Sequence, residues 1–134
     1  MKKIRTFLDA GVLITAVTAQ HRDSLKAINL LNDPHRVFAS SVYIQLEVLP
    51  KTIYFNHQGQ LRTYQRYFQM VKYWPRSPEK ILTAGFRYAR QYGLSALDAL
   101  HVAAAVLTNC DEMITTEGPH SAIHRAKAIK IITL

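Results

Sequence analysis

Four of the nine acidic residues, Asp9, Glu47, Asp98 and Glu117, fall at strand ends or within early helical turns in the apolar pattern of the chain. Carboxylates drawn within a few ångströms of one another repel, so a cluster of them needs a cation or a shared proton. Hard carboxylate oxygens favour Mg²⁺ or Mn²⁺ over thiophilic metals. The chemistry to expect is divalent-metal chemistry on an anionic substrate. Each acid also has a structural role open to it. Asp98 follows Ser95 by three, the spacing of a helix capping box. Asp9, after Phe7-Leu8, suits a turn or N-cap, and Glu117, before Gly118-Pro119, suits a loop. Glu47, between Leu46 and Val48, suits the solvated face of an otherwise apolar helix.

Nearby residues could assist. His101 lies three after Asp98 on the same predicted helix, while Thr115 and Thr116 precede Glu117 and offer hydroxyls. His120 and His124 are four apart, but a zinc-peptidase face needs Glu directly after the first His, and Ser121 stands there. No glycine-rich phosphate loop is present.

These acids must be positioned by strands and helices that alternate. Strands are predicted over 4–8, 36–39, 71–74, 112–115 and 128–133, and helices over 23–31, 42–53, 60–69, 78–92 and 95–107, with a helix start just after Gly11. Ser77-Pro78-Glu79 is a helix opening and Gly93 its stop. Alternation of this kind implies an α/β fold with a parallel sheet covered on both faces. In such sheets ligands collect beyond the carboxyl ends of the strands, which is where Asp9 and Glu117 fall.

The charge balance adds a second theme. Lys plus Arg number 17 against nine acids, a formal charge of +8. Residues 51–92 alone hold eight cations, among them Arg62, Arg66, Lys72, Arg76, Arg87 and Arg90, against a single acid, Glu79. The same stretch carries Tyr54, Phe55, Tyr64, Tyr67, Phe68, Tyr73 and Trp74. Interleaved cations and rings suit a polyanion whose bases stack; the competing role for the rings is the core of an amphipathic helix. A chain of 134 residues can bury one core without staples, so a single domain over 1–134 is expected. One cysteine, Cys110, cannot form an internal disulfide, and no apolar run approaches the roughly 20 residues of a membrane span. A cytoplasmic protein without a membrane segment is the expectation.

Several segments together resemble the PIN-domain nucleases, and among them the VapC-like toxin ribonucleases of toxin–antitoxin pairs. They are Phe7-Leu8-Asp9-Ala10-Gly11-Val12-Leu13, Gln45-Leu46-Glu47-Val48-Leu49, the stretch Tyr92-Gly93-Leu94-Ser95-Ala96-Leu97-Asp98-Ala99-Leu100-His101-Val102-Ala103-Ala104-Ala105, and Met113-Ile114-Thr115-Thr116-Glu117. The resemblance implies a three-layer α/β/α sandwich with a parallel sheet of about five strands. It further implies Mg²⁺- or Mn²⁺-dependent cleavage of RNA at Asp9, Glu47, Asp98 and Glu117, an antitoxin partner, and a homodimer. Glu117 stands where the family usually has Asp, and its extra methylene favours a water-bridged contact over direct ligation. The alternative function is a non-catalytic RNA-binding module that keeps the basic stretch but lacks a complete metal site.

Overall fold

A computed structural model describes residues 2–134; Met1 lies outside the described residues. The order along the chain is β1 (Ile4–Leu8), α1 (Ala10–Val17), α2 (Ser24–Leu31), β2 (Arg36–Ala39), α3 (Val42–Tyr54), α4 (Gln58–Met70), α5 (Pro78–Tyr92) and α6 (Ala96–Leu107). It closes with β3 (Glu112–Thr115), a 3₁₀ turn (Ala122–Arg125) and β4 (Lys130–Thr133). The strands are all parallel, in the order β2-β1-β3-β4. From β1 the chain crosses to β2 in one direction and from β2 to β3 in the other, so right-handed crossovers put their helices on opposite faces. The central strands are accordingly buried: Thr6, Phe7 and Leu8 expose no surface, and all four residues of β3 are inside.

The predicted strand over 71–74 is reduced to an extended segment along β2. Tyr73 forms a single parallel bridge to Ala39, Lys72 N–H donates to the Phe38 carbonyl (3.0 Å), and Ser40 N–H donates to the Tyr73 carbonyl (3.1 Å). Pro75 has no N–H with which to extend the ladder. Among the described residues the sheet therefore has four strands where about five were expected.

Local chemistry fixes the helix that carries Asp98 and the one packed on it. In α5 the Ser77 hydroxyl accepts from Lys80 N–H, Pro78 takes the first position, and Gly93 stops the helix in the left-handed region (φ 65°). In α6 the Ser95 hydroxyl accepts from Asp98 N–H (3.4 Å), and Ala99, Ala103, Ala104 and Ala105 present small buried side chains that let the helix sit close to its neighbours. Pro50 lies inside α3 without ending it. Among the aromatics of 51–92, Tyr64, Tyr67, Phe68 and Tyr88 are core, whereas Tyr54, Phe55, Trp74 and Phe86 are exposed. Among the described residues no helix is long and apolar enough to cross a membrane.

Candidate metal centre

Parallel pairing brings the carboxyl ends of β1 and β3 together, with Leu8 opposite Ile114, and the chain leaves each strand at the same edge. Asp9 is the first residue beyond β1 and caps α1. Its Oδ1 accepts from Ala10 N–H (2.8 Å), and its Oδ2 accepts from the Thr115 hydroxyl (2.9 Å), a fully buried group at the end of β3. Thr115 Oγ1 in turn accepts from Glu117 N–H (3.1 Å). The Asp9 carboxylate is thus held rigidly, with 9% of the residue exposed. The next turn allows no side chain: a Cβ on Gly11 would lie 2.2 Å from Thr116 Oγ1, so glycine here lets α1 abut the segment carrying Glu117.

Glu47, on the second turn of α3, reaches across to His101 of α6, and a Glu47 carboxylate oxygen meets His101 Nε2 in a hydrogen bond. His101 Nε2 is also 4.0 Å from Asp9 Oδ1. One ligating atom from each of Asp9, Glu47 and His101 falls within 4.8 Å of the others, so α1, α3 and α6 converge on one point. His101 is 1% exposed, and its Nδ1 is buried with no partner among the described residues. A carboxylate only accepts, so in this hydrogen bond Nε2–H donates to Glu47. His101 thereby positions the Glu47 carboxylate.

Asp98 and Glu117 sit at the margin of this cluster. Asp98, one turn before His101 on α6, is half-buried; desolvation pushes its carboxyl above the usual range, and the negative charges of Asp9 and, more weakly, Glu117 push the same way, against His101 and Ser95. Glu117 is exposed, and one of its oxygens accepts from the Ser121 hydroxyl (3.2 Å). Its carbonyl accepts from Thr133 Oγ1 (2.8 Å). Thr116 is exposed beside Gly11 and makes no hydrogen bond through its hydroxyl among the described residues. Of the residues singled out in the sequence, the structure brings Asp9 and Glu47 together, adds His101 between them, backs Asp9 with Thr115, and leaves Asp98 and Glu117 as flanking charges. Among the described residues none of the four acids has a Lys or Arg within ion-pair distance. A group of carboxylates with no cation of its own, facing one edge, fits a hard divalent ion.

The six cations expected to hold RNA are all exposed and divide by place. Arg62 and Arg66 lie on α4 and Arg87 and Arg90 on α5, whereas Lys72 and Arg76 lie between these helices. Lys72 and Arg76 line a cleft with Thr108, at the end of α6 opposite Asp98.

A profile of the PIN domain family matches residues 6–125. Two solved structures are similar in fold. A chain of the crystal structure of VapBC2 from Rickettsia felis bound to a DNA fragment from their promoter superposes with a TM-score of 0.73 at 12% identity, over 98% of this chain and 99% of that one. A chain of a toxin–antitoxin complex from Klebsiella pneumoniae superposes with a TM-score of 0.65 at 18% identity, over 96% of each chain. No curated protein matches by sequence.

Proposed function

The chain belongs to the PIN domain family, and from that premise we propose that it is a divalent-metal-dependent endoribonuclease, the toxin of a toxin–antitoxin pair. The observation that carries this reading is the convergence of Asp9, Glu47 and His101 without a compensating Lys or Arg. Mg²⁺ or Mn²⁺ would be held by Asp9 and Glu47, with Asp98 and Glu117 direct or through water. Such an ion, when bound, acidifies a water and neutralises charge developing on the phosphate. The chain's own residues do the rest. Thr115 and the Ala10 N–H lock the Asp9 carboxylate, so no reorganisation is needed when substrate arrives. His101 holds Glu47 in place through Nε2–H. The exposed cations of α4 and α5 draw in the phosphate backbone, an attraction that weakens with salt.

An antitoxin partner and a homodimer belong to the same reading. Both similar structures are described as toxin–antitoxin assemblies. Val42, Leu46 and Ile53 expose 61%, 64% and 59% of their surface along α3, the helix that carries Glu47. An apolar stripe of this kind beside the acids favours a protein cover. A cytoplasmic location is proposed with it.

The test is incubation of single-stranded RNA with the purified chain and Mg²⁺ or Mn²⁺. Internal cleavage that EDTA stops is the expected outcome. Tight binding with no cleavage at saturating metal would make the chain a non-catalytic RNA-binding module instead.

A further inference from the structure

We propose that the cleft between residues 72–77 and the far end of α6 is a second contact site for single-stranded RNA, remote from the acids. The proposal rests on the ribonuclease reading above. The cleft encloses about 590 Å³ and is lined by Lys72, Trp74, Arg76, Lys80 and Thr108 among others, with no acid in its wall. None of its three cations is in an ion pair among the described residues. A fourth positive charge lies behind the wall: Arg5 stacks its guanidinium 3.5 Å from the Tyr73 ring centre and donates from Nη1 to the Thr108 carbonyl (2.7 Å). The positive end of α5 opens at the same place, at Ser77. Glu79, in the first turn of α5, is not part of the lining.

The rim supplies the second half of the argument. Trp74 leans on the buried Phe68, ring centres 6.1 Å apart, yet keeps 36% of its surface exposed. An indole anchored from behind and open in front is a stacking platform for a base, and the cations around it suit the phosphates on either side. An acidic protein segment would use the cations and leave the ring idle. Asp98 and Leu107 are at opposite ends of α6, about 14 Å apart along its axis. The cleft therefore grips RNA away from the point of cleavage.

Trp74 is the only tryptophan, so its fluorescence reports on the cleft alone. The experiment titrates the full chain, in EDTA, with single-stranded oligouridine RNA, oligothymidine DNA of equal length, and polyglutamate, while anisotropy of labelled RNA gives total binding. RNA is expected to quench Trp74. Lys72→Gln, Arg76→Gln and Lys80→Gln combined should weaken binding about 100-fold at 0.1 M salt and flatten the log–log salt slope by about 2. Trp74→Leu, followed by anisotropy, should weaken it about tenfold. Unchanged Trp74 fluorescence at saturating RNA, or wild-type affinity in the triple variant, overturns the proposal. Equal quenching by polyglutamate, or tighter binding of DNA, overturns the assignment to RNA. Because EDTA separates holding from cutting, a chain that passes this test yet never cleaves RNA defeats the ribonuclease reading and leaves the cleft standing.

Discussion

Glu112 and Asp9 occupy opposite edges of one sheet and meet opposite fates. Glu112 opens β3 at 5% exposure, accepting from Arg36 Nε and Nη2 (both 3.1 Å) and from the Thr6 hydroxyl (3.1 Å). Arg36 opens the outer strand β2 and also pairs with Asp33, whose carboxyl a backbone hydrogen bond from His35, with help from Arg36, holds below its usual range. At the other edge, Asp9, Glu47 and Asp98 are surrounded by hydroxyls, an amide and an imidazole, with no guanidinium or ammonium in reach among the described residues. Desolvating a carboxylate is costly unless an opposite charge accompanies it. The first edge carries its own cation and is complete as folded. On the proposed reading the second is left for a cation from solution, and that would separate a structural acid from a working one.

The sharpest way to break this contrast is to remove the protein's own cation. Arg36→Met should destabilise the chain by about 3 kcal/mol, because Glu112 is left buried and unpaired; denaturant unfolding measures it. At the acidic edge, on the proposed reading, a supplied cation would do the equivalent job. At 100 times its dissociation constant, Mn²⁺ should stabilise the wild type by about 2.7 kcal/mol, read as a rise in melting temperature, and should do much less for Glu47→Gln. A melting temperature indifferent to metal would break the contrast.

Gly11→Ala should cost about 1–2 kcal/mol in spite of alanine's higher helix propensity, since the new Cβ meets Thr116 Oγ1. Adding Thr116→Ala should recover most of that loss. The smallest effect belongs to Asp98→Asn in EDTA, which should leave stability at neutral pH unchanged or raised by under about 1 kcal/mol. The sign follows from Asp98's raised pKa: the folded state binds its proton more tightly than the unfolded, so its contribution is unfavourable at neutral pH. That penalty is relieved as pH falls through the folded pKa, and the variant's advantage should fade there.

The sequence makes the edge legible because strand ends and helix openings announce themselves: Asp9 after Phe7-Leu8, and Ser95 three before Asp98. Capping chemistry is local, so Ser77, Pro78 and Gly93 mark α5 closely. What is not legible is three-dimensional. His101 reads as an auxiliary from its spacing to Asp98, and only the packing of α3 against α6 puts it on Glu47. The segment over 71–74 reads as a strand because its residues favour extension, but one bridge to Ala39 is all that Pro75 permits. Cations that form one basic run in sequence separate in space, some on α4 and α5 and others in a cleft at the far end of α6.

Cleavage and binding measured side by side for Asp9→Asn test the central claim, that the acidic edge cuts RNA with a supplied cation while cationic surfaces hold it. Removing this carboxylate should lower metal-dependent cleavage about 1,000-fold or more, the loss of several kcal/mol of transition-state stabilisation, while RNA is bound at least as tightly as by the wild type. Cleavage by Asp9→Asn at the wild-type rate would contradict the account.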